Sequence, residues 1–138
     1  MISSVAGGIG LTVTEYLSKL GYKNVYGIAG SDEKCSVAVK LGCKAAINYK
    51  KFYDKENIRS KEFETAVREM MGGESIDLYY ENVGEDMLSS MLNLMSDHGK
   101  VIMCGATATY NNWGSKEGVR NFENIISKRL LLKGIIYF

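Results

Sequence analysis

Apolar positions in this chain fall into short β-rich runs that alternate with stretches of helical period. Ile2, Ser3 and Ser4 read as the end of a strand. Ile9, Val13, Tyr16, Leu17 and Leu20 then share one helical face, and Gly21 follows as a left-handed cap. Residues 24–29 predict a second strand. Ser31 after it has N-cap chemistry, since its hydroxyl accepts an amide hydrogen of a first turn. Val37, Ala38 and Leu41 form the stripe of the helix it opens, and Gly42 caps that helix. Residues 45–48 are a short third strand. Phe63, Ala66, Val67, Met70 and Met71 make a strongly amphipathic helix. Residues 76–80 predict strand four, and Met87, Leu88, Met91, Leu92 and Met95 the next helix stripe. Residues 100–103 predict strand five. A polar loop runs to about Arg120, a short helix passes through Ile125 and Ile126, and residues 130–137 are a final strand. The unbroken apolar run there suits a strand buried on both faces.

Strands alternating with helices imply a parallel sheet, because parallel strands need crossovers. The fold class is therefore α/β: a doubly wound, mostly parallel sheet of the Rossmann type, about six strands with helices on both faces. Residues 1–138 read as one dinucleotide-binding domain. The chain starts and stops on strands, which reads as a fragment of a longer, two-domain protein.

Composition narrows the function classes. Apolar residues make up 46% and charged residues 24%, and the formal net charge is +1, so nothing points to nucleic acid. No apolar run has the length of a membrane span, and Met1-Ile2-Ser3-Ser4 lacks the features of a signal peptide. The three cysteines, Cys35, Cys43 and Cys104, are odd in number and show no Cys-x-x-Cys spacing, which argues against a disulfide framework and a zinc site. A reducing compartment, the cytoplasm, fits best. The seven methionines read as packing, Cys104 as a small buried hydrophobe, and His98 as an exposed turn residue.

The candidate chemistry starts at Val5-Ala6-Gly7-Gly8-Ile9-Gly10, between a strand and a helix. That is the place of the dinucleotide fingerprint Gly-x-Gly-x-x-Gly. Gly7 keeps a side chain away from the pyrophosphate, Gly10 lets helix and strand approach, and the helix start offers amide hydrogens and a positive dipole end to phosphate. Val5 occupies the first glycine slot and is expected to crowd the pyrophosphate. In NAD binders a carboxylate ends the second strand and holds the ribose hydroxyls. Here that strand ends Ala29-Gly30-Ser31, and Lys34 stands in the following first turn. A cation there opposes the helix dipole unless an anion is present, and the 2′-phosphate of NADPH is such an anion. Asp32 and Glu33 are expected to serve the dipole and face water.

With these residues read, the chain resembles the medium-chain reductase superfamily, in particular its zinc-independent prostaglandin and leukotriene reductases. The resemblance rests on Ala6-Gly-Gly-Ile-Gly10, Gly27-Ile-Ala-Gly-Ser-Asp-Glu-Lys34, Leu41-Gly42, Ala46-Ile-Asn-Tyr-Lys50, Asp77 and Glu81-Asn-Val-Gly84, Cys104-Gly105, Tyr110-Asn111 and Ile125-Ile-Ser-Lys-Arg-Leu130, in the family's order. It implies that Gly7, Gly8, Ile9 and Gly10 line the pyrophosphate, and that Ser31, Lys34 and Tyr49 lie at the 2′-phosphate end. It implies that Asn82 lies near the nicotinamide, and that Cys104, Gly105, Ala106, Thr107, Ala108, Thr109 and Tyr110 wrap the nicotinamide ribose. Tyr49 as an ordinary half-buried aromatic and Asn82 as a turn residue remain open alternatives. The family's amino-terminal domain and everything beyond the sixth strand are absent, and Asn112-Trp-Gly-Ser-Lys-Glu-Gly118 departs from the family's proline-rich loop.

The expected activity of the parent protein is NADPH-dependent reduction of the C=C bond of small-molecule enones, of the 15-oxoprostaglandin type, without zinc. No catalytic residue is assigned, and the isolated chain is expected to be inactive. A homodimer is left open. The alternatives are a nucleotide-binding module without turnover and an adenosylmethionine methyltransferase, the latter weakened by the missing carboxylate at Gly30.

Overall fold

The computed structural model describes residues 1–54, 57, 58, 60–110 and 118–136. Asn111, nearly all of the loop before Gly118, and Tyr137 lie outside the described residues.

The sheet grows out from a single residue. Ile2 bridges Gly27 and Tyr80 in parallel. Its amide donates to the Tyr26 carbonyl at 2.9 Å, and the Ser3 amide donates to the Tyr80 carbonyl at 3.0 Å. On one side lie β1 (Tyr26–Ala29) and its parallel partner β2 (Ala45–Asn48). On the other lie β5 (Ile76–Glu81), β6 (Met95–Met103) and β7 (Leu131–Gly134), also parallel. The order is therefore β2–β1–Ile2–β5–β6–β7. A two-stranded antiparallel hairpin, β3 (Tyr53–Asp54) with β4 (Asn57–Ile58), stands outside this sheet and follows a 3₁₀ turn at Tyr49–Phe52.

Helices α1 (Gly8–Lys19) and α2 (Asp32–Lys40) cover one face with Val5, Val25, Ala29, Cys35, Ala38 and Cys43. Helices α3 (Ser60–Met70) and α4 (Glu85–Leu94) cover the other with Tyr26, Ile28, Phe63, Val67, Tyr79 and Val101, and Ile125 of α5 (Glu123–Ser127) packs against that cluster. All seven methionines belong to this second core or pack on it.

Several sequence expectations need correction. Ile9, Tyr16 and Leu20 are exposed, as is Val37. The buried positions of α1 are Gly10 and Thr14, and those of α2 are Cys35 and Ala38. Small residues face the strands because the helix axes come close, and the larger apolar side chains are displaced to the flanks. The last strand is not buried on both faces. It spans only Leu131–Gly134, Leu131 is 54% exposed, and Ile136, 73% exposed, lies beyond its end. Met95 opens β6 rather than closing α4, and the β5–β6 register shifts between the Ile76 and Leu78 pairs to accommodate residues 96–99. His98 is exposed as expected, with φ 60°, and accepts from the Arg129 guanidinium at 3.2 Å.

Candidate functional site

The cofactor residues expected from the sequence lie beyond the carboxyl ends of strands of the parallel sheet, in the connecting turns or in the first turn of the helix that follows. That edge is where open α/β sheets hold ligands.

The glycine-rich turn is built by close approach. Ser4 adopts φ 49°, a left-handed conformation that turns the chain out of the sheet. A Cβ on Gly10 would stand 2.5 Å from the Ser4 carbonyl oxygen and 2.6 Å from that of Val5, so only glycine fits. A Cβ on Gly7 would come within 3.2 Å of Ser4, whereas one on Gly8 would meet nothing within 4 Å. Helix α1 thus starts against open space. Its N-cap, Gly7, supplies no side-chain hydrogen bond, and no acidic residue lies in its first turn. The first amides of a helix have no intrahelical acceptor, so this start presents donors and positive potential together. Val5 does not crowd that space. It is fully buried, and its side chain occupies the volume that a Cβ on Gly27 would need, with Val5 Cγ1 2.7 Å from that position. Gly27 on the neighbouring strand is what allows a valine in the first glycine slot.

The end of β1 forms a second subsite. Ser31 caps α2 as expected, accepting the Lys34 amide at 3.2 Å. Above Gly30 lie two side chains from the 3₁₀ turn: a Cβ on Gly30 would be 3.3 Å from Lys50 Cε and 3.4 Å from the Tyr49 ring. Tyr49 thus shares this glycine with Lys50, which the sequence alone does not single out, and Lys34 stands exposed in the first turn of α2. Asp32 does more than face water. Its carboxylate is 2.8 Å from Lys51 Nζ and accepts from Asn48 Nδ2 at 3.2 Å, and these bonds hold its pKa below the usual range. Glu33 is lowered too, chiefly by the Ser31 hydroxyl. Both acids of this turn thus have partners, while Lys50 lies over the glycine and Lys34 is exposed.

The third subsite joins the loops after β5 and β6. Asn82 is buried and turned inward: its Nδ2 donates to the Ser3 carbonyl at 2.8 Å. Its own carbonyl accepts the Thr107 amide at 3.0 Å, and that of Val83 accepts Ala108. The amides of Cys104 and Gly105 both donate to the Glu81 carbonyl, at 2.8 and 3.2 Å, and a Cβ on Gly105 would stand 2.9 Å from the Asn82 oxygen. Thr109 bonds back to Ala106 through both its amide and its hydroxyl. Most amides of this loop therefore stitch it to residues 81–83, so the Cys104 backbone N–H is not available to a ligand. The exposed ring of Tyr110, whose hydroxyl accepts the Ala106 amide at 3.3 Å, stands at the loop's surface. Burial, and then the Cys104 thiol beside it, pushes the Tyr80 phenol up to about 12, which leaves it neutral at ordinary pH.

A further residue lies beneath this loop. Glu81 is fully buried at the end of β5, and its Oε1 accepts from Ser3 Oγ at 3.0 Å, from the Gly84 amide at 3.0 Å and from the Val83 amide. The signal in the sequence was an acid closing the strand after Leu78, Tyr79 and Tyr80. Among the described residues no group of three or more His, Cys, Asp or Glu side chains could hold a metal ion. Among them too, no helix is long and apolar enough to cross a membrane.

Comparison with known proteins agrees with this geometry. The family model described as zinc-binding dehydrogenase matches residues 8–138. Prostaglandin reductase 1 of Sus scrofa is 32% identical over 136 residues, covering 99% of this chain and 38% of that protein. The NADP(+)-dependent 2-alkenal reductase of Nicotiana tabacum is 33% identical over 138 residues, covering 99% of this chain and 37% of its own length. The crystal structure of CurA from Vibrio vulnificus in complex with NADPH superposes with a TM-score of 0.78 at 25% identity, over 98% of this chain and 38% of that one. The chain thus spans less than two-fifths of the length of these relatives. With its glycine-rich turn and parallel sheet, it belongs to the zinc-binding dehydrogenase family, as the cofactor-binding half of a medium-chain reductase.

Proposed function

We propose that this chain binds NADPH and that, within a longer parent protein, it presents the cofactor for reduction of the C=C bond of an α,β-unsaturated ketone. The observation that carries the reading is the end of β1. No carboxylate stands at Gly30, Lys50 and Tyr49 lie over it, Lys34 is exposed in the first turn of α2, and Asp32 is engaged by Lys51 and Asn48. An adenosine 2′-phosphate fits that chemistry, and ribose hydroxyls seeking an acid do not. The uncapped start of α1 suits the pyrophosphate.

NADPH, when bound, supplies the hydride. This chain's part is to hold and orient it: Gly7, Gly8, Ile9 and Gly10 at the diphosphate, Lys34, Lys50, Ser31 and Tyr49 at the adenosine end, and residues 104–110 with Asn82 at the nicotinamide end. The exposed Tyr110 hydroxyl is a donor that could face a substrate carbonyl. No metal enters this scheme. The setting is a reducing compartment such as the cytoplasm, consistent with three free thiols. A homodimer through the exposed edge strand β7 belongs to the same reading, and sedimentation velocity tests it.

Titration with NADPH and NADH tests the central claim. NADPH should bind more tightly, and Lys34→Ala should erode the preference by roughly 1–3 kcal/mol, the scale of a charge-assisted contact. Equal affinity for both cofactors would overturn it. The 138-residue chain should bind NADPH yet oxidise none with an added enone, since it spans 38% of a relative such as the Sus scrofa reductase.

A further inference from the structure

We propose that Glu81 is a positioning residue for the nicotinamide end of the cofactor site, with Ser3 as its link to the glycine-rich turn. The inference rests on the NADPH reading above.

A carboxylate sealed in a protein core is costly unless its bonds repay the lost hydration. Glu81 is fully buried, and no ion pair among the described residues includes it. It faces three donors instead. Two of them, the Val83 and Gly84 amides, belong to the loop that carries Asn82. The third is Ser3 Oγ at 3.0 Å, and that same oxygen accepts the Asn82 amide at 2.8 Å. All three bonds land on Oε1, while Oε2 and the nearby Tyr79 hydroxyl are buried without partners. An aliphatic residue would fill this strand end but leave the Val83 and Gly84 amides and the Ser3 hydroxyl without this acceptor. What Glu81 provides is therefore geometry. It folds residues 82–84 tightly over the end of β5, with Gly84 at φ 90°, and fastens them to the strand that runs into the phosphate turn. The loop after β6 hangs on the same three residues: Cys104 and Gly105 bond the Glu81 carbonyl, Thr107 that of Asn82, and Ala108 that of Val83. One side chain thus sets both loops at the nicotinamide end and makes no bond at the adenosine end, where Gly30, Lys34, Tyr49 and Lys50 sit.

That asymmetry gives the test. The 138-residue chain is titrated calorimetrically with NADPH and, separately, with adenosine 2′,5′-bisphosphate, which carries the adenosine end and one phosphate of the diphosphate but no nicotinamide half. Glu81→Met removes the acceptors at nearly constant side-chain length, whereas Glu81→Gln keeps a carbonyl oxygen for the same donors. Glu81→Met should weaken NADPH about tenfold or more, the scale of bonds to a charged acceptor, and leave the bisphosphate within about twofold. Glu81→Gln should recover most of the loss. Equal weakening of both ligands, no weakening of either, or no recovery with Gln overturns the inference. So does a wild-type chain that gains no affinity from the nicotinamide half. If Glu81→Met does not fold, Ser3→Ala carries the same expectation, and an equal effect on both ligands overturns it. A wild-type chain that binds neither ligand overturns the cofactor reading itself.

Discussion

Gly8 and Gly10 differ by two positions and by everything that matters sterically. A methyl group on Gly10 meets backbone atoms of Ser4 and Val5 at 2.5 to 2.7 Å, and backbone cannot swing aside. Gly10→Ala should therefore cost about 1–3 kcal/mol by urea unfolding, the usual range for overpacking. Gly8→Ala meets open space and should leave stability unchanged or raise it by up to about 1 kcal/mol, because alanine is the better helix former. Equal costs at the two sites would contradict the close approach of α1 to the strand.

Helix α4 ends by entering β6 directly, with no basic residue in its own last turn. Lys128, just beyond α5, reaches across instead and donates to the Leu92 and Asn93 carbonyls at 3.0 and 2.8 Å. Burial, and then the charge of Arg68, lowers its pKa, which marks it as partly desolvated. Lys128→Met keeps the stem and removes these bonds, and should cost about 1–2 kcal/mol in urea; an unchanged midpoint would show that the bonds add nothing. This tie between helices could not be read along the chain, whereas α3 and α4 could. Phe63, Val67 and Met71, then Met87, Leu88, Met91 and Leu92, are buried where their period places them, because a helix packed at ordinary distance buries its large apolar stripe. The stripes of α1 and α2 held only in part: Ala38 is buried and Val13 and Leu17 pack on that core, but close packing also turns Gly10, Thr14 and Cys35 inward. The 3₁₀ turn and the β3–β4 hairpin left no period to detect. The same contrast holds at the candidate site. The glycine turn and the Ser31 cap are local devices and show in the sequence, but Lys50 reads as one of two adjacent surface lysines until the turn lays it over Gly30. Glu81 reads as a polar strand end until the fold shows that it points inward.

At the scale of the molecule, the parallel sheet is covered unequally. Over β1 and β2 one face carries α2, and the other packs into the cluster that holds α3 and α4. Over β5, β6 and β7 the Tyr79 and Val101 face is sealed by α4 and α5, while the opposite face presents the row Leu78–Lys100–Leu131. Leu78 is 42% exposed on that row and Val101 is fully buried on the other side. Parallel sheets ordinarily have both faces covered. The long apolar run at residues 130–136 anticipated such cover, and that is why the sequence overstated the burial of β7. Two substitutions measure the asymmetry directly. Val101→Ala removes methyl groups from a sealed core and should cost about 2–3 kcal/mol. Leu78→Ala acts on a surface that water already reaches and should cost less than about 1 kcal/mol. Both can be read from urea midpoints at dilute and at high protein concentration. A Leu78→Ala cost that matched the Val101→Ala cost, and that grew with concentration, would mean that the face is covered in solution by a second copy of the chain; the sheet would then be closed by association rather than left open on one side.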